Sequence, residues 1–183
     1  MMRRLSSGRF LTRAWDRFKR PVLSVYLIVL RRSVGAEGLS FVDETIDAGY
    51  ATYRTLARVH VLVDSLFPVQ VGRGSVPISN TPHFSFVKAH LGHEGAGWNK
   101  DDWKKYMTHE SDSNSAAVSQ RQERFEKLMD EIRKNPADVN LLVAINPGLR
   151  GFEIVDGFHR AAIVAACLPG ARVSCSVVSH IVA

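Results

Sequence analysis

The spacing of apolar residues predicts a helix in the C-terminal half of the chain. Within residues 120–134, Phe125, Leu128 and Ile132 recur at helical spacing, and charged side chains fill most of the other positions. Pro136 follows shortly afterwards and cannot continue a helix. We therefore expect an amphipathic helix over these residues that packs its apolar face on a core.

Four further segments follow that helix, and their patterns change between strand and helix. Residues 141–145 and 151–155 are rich in apolar and β-branched residues, and an Asn-Pro-Gly turn between them predicts a hairpin. Residues 158–168 carry four alanines and end at a Pro-Gly pair, which predicts a helix packed closely on a sheet. Residues 173–182 alternate in polarity over their first half and predict a closing strand.

The segments before residue 120 indicate where the β-containing part begins. Residues 69–78 predict a strand and a turn, residues 79–83 (SNTPH) have turn chemistry, and residues 84–91 predict a short helix. A polar stretch rich in Gly and Ser, residues 92–119, then interrupts the pattern, with a short helix candidate at 100–107. Long loops inside compact domains are usually lids or plain insertions, and both interpretations stay open.

The N-terminal third predicts a separate helical extension. Ser40 and Asp43 form a capping-box pattern, and Pro68 ends the segment. Between them, apolar residues fall near helical spacing: Ile46, Tyr50, Tyr53, Leu56, Val63 and Phe67. We therefore divide the chain into a basic helical extension, residues 1–67, and a small α+β domain with a mixed sheet and packed helices, residues 68–183.

Composition and cysteine content narrow the class of protein. Of the 183 residues, 45% are hydrophobic and 23% are charged, which is typical of a folded globular domain and not of a disordered tail or a fibre. The two cysteines, Cys167 and Cys175, form no Cys-x-x-Cys pair, so neither a disulfide framework nor a zinc knuckle is expected. This pattern favours a reducing compartment, and we expect a cytoplasmic protein.

The positive charge of the chain is concentrated at its N-terminal end. The net charge is +6, yet residues 1–32 hold nine basic residues and one acid, so the remainder is slightly acidic and disfavours a broad nucleic-acid surface. The apolar run 21–30 inside the basic segment is too short to span a bilayer, for which about 20 residues are needed. A packed helix or strand, a contact with a membrane surface or an acidic partner, and a secretory signal stay open for this run.

The most specific local motif joins the second hairpin strand to the next helix and reads Asp156-Gly157-Phe158-His159-Arg160. A glycine turn at such a junction presents backbone N–H groups and the positive end of a helix to an anion. Arg160 can hold a phosphate through its planar fork, and His159 can donate a hydrogen bond or accept a proton. Asp156 could cap the helix, hold His159 or Arg160, or help to place a metal ion bound to phosphates. The motif predicts a phosphate site.

The order of the segments resembles the ParB/sulfiredoxin superfamily. The resemblance covers roughly residues 70–180 and rests on these matches in the family's order: ISNTPH at 78–83, FEKLMDEI at 125–132, the strand 141–145, the hairpin through Val155, GFHRAAI at 157–163 and the strand 173–178. It implies the superfamily's small mixed fold. It also implies that Gly157, His159 and Arg160 bind the phosphates of ATP, ADP or CTP, together with Mg²⁺.

The details of the motif distinguish the branches of that superfamily. Sulfiredoxins carry a catalytic cysteine where this chain has Phe158, so sulfinic-acid repair is not expected. The DNA-partitioning branch usually reads Gly-Glu-Arg-Arg and adds a helix-turn-helix module, for which few residues remain after Arg160. The Asp-Gly-x-His-Arg form is most similar to the free-serine kinase branch, which moves phosphate from a nucleotide to a small hydroxyl compound.

The carboxylate that the family carries in its early turn has no counterpart here. Ser79, Asn80 and His83 occupy this turn, and His83 is a candidate base because histidine suits proton transfer near neutral pH. A surface histidine is the alternative. Four further residues could approach the site: Lys88, His90, His93 and Glu94. The last three lack another spaced ligand, so no zinc site is expected.

We therefore expect a nucleotide-binding protein that transfers phosphate to a small hydroxyl metabolite or hydrolyses the nucleotide, with His159 and His83 as catalytic residues. Two alternatives stay open. A non-catalytic, nucleotide-responsive protein could use residues 1–32 to contact a protein partner or a membrane surface, and the missing carboxylate favours it. A nucleic-acid-binding protein is less expected, because only the N-terminal segment is strongly basic.

Overall fold

A computed structural model describes residues 36–48, 51–70, 74–92, 115–146, 149 and 151–180. Within these ranges the strands are β1 (Glu37–Asp47), β2 (Thr52–Leu62), β3 (Leu66–Gln70), β4 (Gly74–Ser75), β5 (Asn140–Ile145), β6 (Phe152–Asp156) and β7 (Arg172–His180). The helices are α1 (Pro82–His90), α2 (Ser115–Lys134) and α3 (Phe158–Cys167). Single 3-10 turns span Val63–Ser65, Ile78–Asn80 and Pro136–Asp138.

The seven strands form one mixed sheet in the order β1-β2-β7-β5-β6-β3-β4. β7 is antiparallel to β2 on one side and parallel to β5 on the other. β5 and β6 form an antiparallel hairpin, and β3 pairs with β6 in parallel. This mixed sheet with three helices agrees with the α+β class predicted from the sequence.

The main core lies between the helices and one face of the sheet. β2 contributes Ala57, Val59 and Val61 at alternating positions. α3 contributes an unbroken buried run, Ala161–Ala166, whose mostly small side chains let the helix approach the sheet closely. Burial of each large aliphatic side chain contributes roughly 1.5–3 kcal/mol. The packing of α3 on this core fixes the turn that precedes the helix.

The buried residues of the second apolar cluster belong to three strands. Tyr53, Leu142 and Val178 are buried in it, and none of the described helices contributes a residue to it. The pairing of β2 with β7 shifts register between Thr55 and Ala57. β2 has one extra residue at this shift, which reverses the alternation of its side chains. The buried apolar residue before the shift, Tyr53, therefore lies in the second cluster, whereas Ala57 and the apolar residues after it lie in the main core.

Most elements predicted after residue 68 are confirmed. The short helix before the polar stretch, the hairpin, the alanine-rich helix and the closing strand all form. The amphipathic helix also forms, but it begins at Ser115 and not near residue 120. The polar stretch predicted over 92–119 therefore ends earlier than expected, because its last residues belong to α2.

The predicted helical extension is wrong where the structure describes it. Residues 37–62 form β1 and β2, and β2 pairs with β7 inside the common sheet, so this part belongs to the domain and does not precede it. Ser40 and Asp43 are strand residues and do not cap a helix. The Arg54 guanidinium instead donates hydrogen bonds of 2.7 and 2.9 Å to the Asp43 carboxylate across the hairpin.

Some predictions concern residues outside the described ranges. They are the basic segment 1–32 with its apolar run 21–30, the helix candidate at 100–107, and His93 and Glu94. Among the helices that the structure describes, none is long and apolar enough to cross a membrane.

Candidate functional site

A glycine with left-handed backbone geometry joins β6 to α3. Gly157 has φ 93° and ψ 19°, a conformation that residues with a side chain rarely adopt. A Cβ built on Gly157 would also lie 2.6 Å from Leu141 Cδ2, so the position has no room for one. The chain therefore turns sharply here, and α3 begins one residue after β6 ends.

The N-terminal end of α3 has no side-chain cap. The Ala161 N–H donates to the Gly157 carbonyl at 2.9 Å, which is the first hydrogen bond of the helix. The N–H groups before Ala161 point out of the helix end, where the helix dipole places partial positive charge. This end of α3 therefore favours an anionic ligand.

Arg160 and Asp156 form an ion pair at this turn. Arg160 Nη2 donates to Asp156 Oδ2 at 3.2 Å. The same guanidinium lies over the glycine, since its Nη2 and Nε are 3.1 and 3.3 Å from the position of a Cβ on Gly157. Of the three roles considered for Asp156, the structure shows one, which is to hold Arg160.

His159 lies on the exposed side of the first turn of α3. Its ring centroid is 4.4 Å from that of His83, with 35° between the ring planes. It also meets the Phe125 ring at 5.5 Å in a nearly perpendicular arrangement. Two other helices thus support the imidazole of His159 while solvent still reaches this residue.

His83 is buried, with only 1% of its surface exposed. It lies in the first turn of α1, where the Thr81 hydroxyl accepts a hydrogen bond from the Phe84 N–H at 3.2 Å and Pro82 begins the helix. Burial, and secondarily the charge of His159, lower the pKa of His83 from 6.5 to about 2. His83 therefore stays neutral near pH 7 and is a poor proton acceptor there.

The early turn that carries Ser79 and Asn80 packs against α3. Ile78 anchors this turn in the core, with 1% of its surface exposed, whereas the side chains of Ser79 and Asn80 face solvent. Contacts between the turn and α3 keep both residues on the side of the molecule where α1 and α3 meet.

Lys88 is not part of the glycine turn. Burial raises the pKa of Cys167, and the charges of Arg133 and Lys88 oppose this effect, so both cations lie near that thiol. Cys167 ends α3, which places Lys88 toward the end of the helix opposite Arg160. His90 is exposed at the end of α1, with its ring 6.1 Å from that of Phe86.

Phe125 is the residue at this site that sequence reasoning missed. Its place on the apolar face of α2 was predicted, but its contacts with His83 and His159 were not. Ring centroids lie 5.6 Å apart for Phe125 and His83 and 5.7 Å apart for Phe125 and Phe86. No local pattern signals these contacts, because they depend on how α2 packs beside α1 and α3.

Comparison with known proteins adds no relative to this picture. No protein-family model matches the chain, and neither the curated proteins nor the solved structures gave a significant match. The resemblance to the ParB/sulfiredoxin superfamily therefore stays a prediction from the order of motifs. A functional conclusion has to come from the geometry of the turn between β6 and α3.

Proposed function

We propose that this protein binds a nucleotide by its phosphates at the turn between β6 and α3. The observation that carries the proposal is the meeting of an uncapped helix end, the Arg160 guanidinium and the exposed His159 within one helical turn. Each of these groups favours negative charge or a hydrogen-bond acceptor. The order of motifs supports ATP, ADP or CTP as the ligand and a ParB/sulfiredoxin-like fold.

Each part of the turn has a distinct role in this proposal. The N–H groups at the start of α3 donate to phosphate oxygens, and the absent side chain of Gly157 lets Leu141 and the Arg160 guanidinium pack against the turn. The planar fork of Arg160 binds two phosphate oxygens together, which a lysine could not do in the same way. Positioning and charge stabilisation of this kind account for most of the catalysis in phosphoryl transfer.

The reaction that this arrangement supports best is transfer of a phosphoryl group to a small hydroxyl compound or to water. The hydroxyl proton passes to the His159 imidazole as the hydroxyl oxygen bonds to the terminal phosphorus. The bond between that phosphorus and the bridging oxygen breaks, and the nucleotide leaves with one phosphate fewer. His159 suits the proton-accepting role because solvent reaches it and histidine titrates near neutral pH.

His83 has a supporting role in this mechanism. Its buried ring stays neutral and lies against His159, so it fixes the direction of the His159 imidazole without accepting the proton itself. The sequence suggested His83 as a second catalytic residue. We assign it to positioning because burial works against a positive charge at this place.

Asp156 is the carboxylate that could hold a Mg²⁺ ion carried by the ligand. Mg²⁺ usually binds through one or two carboxylates together with substrate phosphates, and the Asp156 side chain is 42% exposed. Such an ion neutralises phosphate charge when bound. The described residues contain no group of three or more potential metal ligands, so the turn fits an ion that arrives with the nucleotide.

A second candidate function is nucleotide binding without turnover. It is supported by the early turn, where Ser79 and Asn80 stand in place of an acidic residue that could activate an acceptor. In this case the nucleotide acts as a signal, and the protein responds by changing its contact with a partner. Binding is common to both candidates, and release of the cleaved nucleotide separates them.

The test is a calorimetric titration of ATP, ADP and CTP, each with Mg²⁺, into the wild-type protein and two variants. Arg160→Ala removes the phosphate fork, and Arg58→Ala removes an exposed arginine paired with Glu44 on the β1–β2 hairpin. We expect saturable binding that Arg160→Ala abolishes and Arg58→Ala preserves. Absence of binding by all three nucleotides, or equal loss in both variants, would contradict the proposal.

A further inference from the structure

The Asp156–Arg160 ion pair occupies the place where an anion would meet the start of α3. Arg160 Nη2 is 3.2 Å from Asp156 Oδ2, and the guanidinium also lies over Gly157. The two side chains are 35% and 42% exposed, so a ligand in solution can reach both. The arginine that should bind phosphate is therefore already engaged by a carboxylate.

A carboxylate and a phosphate bind to the same groups of an arginine side chain. Both accept hydrogen bonds from the N–H groups of the guanidinium fork, and both are favoured by its charge. A phosphate bound by Arg160 would also lie within a few ångströms of the Asp156 carboxylate, and charges of the same sign repel at such distances. Any anion at this turn must displace Asp156 or tolerate it as a neighbour.

We propose that Asp156 competes with anionic ligands for Arg160 and so lowers the affinity of the turn for all of them. The inference rests on the proposed phosphate site. Asp156 keeps the affinity for small oxyanions low, because Arg160 is their main partner at the turn. A nucleotide has further phosphates and a nucleoside whose additional contacts offset the lost ion pair. Because every anion meets this cost, only a ligand with such additional contacts binds tightly at the turn.

The test compares metal-free binding to the wild type and to Asp156→Asn. Inorganic pyrophosphate and ATP are titrated separately in the presence of EDTA. Removing the competitor should tighten the binding of both about three- to tenfold at low salt, and the gain should shrink as salt is raised. Asp43→Asn removes a carboxylate that pairs with Arg54 on the β1–β2 hairpin and controls for the change in net charge. Asp156→Ala is the second variant if Asn perturbs folding.

The possible results separate the two proposals. Binding that is unchanged or weaker in both Asp156 variants would overturn the competitor role, because Asp156 would then position Arg160 for the ligand. If pyrophosphate binds the wild type but none of ATP, ADP and CTP binds with Mg²⁺, the nucleotide proposal fails, and the pyrophosphate affinities still decide the role of Asp156. If neither probe binds to any variant, the competitor role is wrong, and the titrations with Mg²⁺ decide the nucleotide proposal separately.

Discussion

The imidazole ring centroids of His83 and His159 lie 4.4 Å apart, although His83 belongs to α1 and His159 to α3. His83 is buried and His159 is exposed, so two histidines in contact have opposite environments. Burial keeps His83 neutral near pH 7, whereas solvent reaches His159. This difference is the basis on which we propose a positioning role for the first and proton transfer for the second.

The buried imidazole of His83 should make the protein less stable in mild acid. Its pKa is about 2 in the folded state and 6.5 when exposed, so between these values the unfolded chain binds a proton that the folded chain does not. Its contribution to stability is therefore fully present above pH 6.5 and falls by about 1.4 kcal/mol per pH unit below it. Denaturant unfolding of the wild type and His83→Phe from pH 7 to pH 4 measures this difference.

His90→Phe is the matched control for that comparison, because it places the same aromatic ring at an exposed position of the same helix. It should retain the wild-type dependence of unfolding free energy on pH, whereas His83→Phe should flatten it. Equal pH dependence in the wild type and His83→Phe would show that His83 is not buried in its neutral form.

Gly157→Ala should destabilise the protein and displace Arg160. Alanine at φ 93° is strained, and its Cβ would lie 2.6 Å from Leu141 Cδ2 and 3.1 Å from Arg160 Nη2. We expect a loss of about 2–3 kcal/mol in unfolding free energy together with weaker nucleotide binding. Gly170→Ala is the control, since its φ of 76° is also positive but no atom lies within 4 Å of the new Cβ. Equal losses in the two variants would mean that the space around Gly157 is not limiting.

His159→Ala should separate binding from turnover. Loss of a general base typically lowers the rate 10²- to 10⁴-fold, whereas phosphate contacts from Arg160 and the helix end remain. We expect nucleotide affinity to change by less than about tenfold and release of the cleaved nucleotide to fall at least about 100-fold. His60→Ala, which alters an exposed histidine on β2, should leave both unchanged. A wild-type protein that binds but shows no turnover with any acceptor would favour the non-catalytic candidate.

The two thiols should differ in reactivity. Cys175 lies on β7 inside the sheet, and burial raises its pKa to about 12, whereas Cys167 at the end of α3 is partly exposed. Because thiolates are the reactive form, a thiol reagent at pH 8 should modify Cys167 slowly in the native protein and Cys175 only after unfolding. Titration with an aromatic disulfide reagent counts the reacting thiols, and native Cys167→Ser should show none. Rapid reaction of Cys175 in that variant would contradict the central place of β7.

The β1–β2 hairpin shows where sequence patterns fail to predict the fold. The buried residues of β2 are Tyr53, Thr55, Ala57, Val59 and Val61, an alternation that indicates a strand. The helical interpretation relied on the spacing of Tyr53 and Leu56. A segment dense in apolar residues offers positions that match both the helical and the strand period, so it can be read either way. β1 carries almost no buried residue, since it forms an edge of the sheet, and a strand of this kind leaves no apolar alternation to detect.

The part of the candidate site that adjacent residues form was predictable from the sequence. The order of strand, glycine and helix around Gly157 could be read directly, because adjacent residues define it. The burial of His83 could not, because Phe125 and Phe158 come from other helices and meet it only after α1, α2 and α3 pack together. Sequence reasoning therefore found both histidines but could not show that one is buried and the other exposed.

The position of β7 between β2 and β5 has a consequence for biosynthesis. Among the described strands, β7 provides the pairing that unites the β1–β2 hairpin with the group β5, β6 and β3. On the ribosome, the nascent chain therefore carries two incomplete sheets until residues 172–180 emerge from the exit tunnel. During that interval β2 and β5 lack their common partner, so the open strand edges expose the unfinished chain to misassembly.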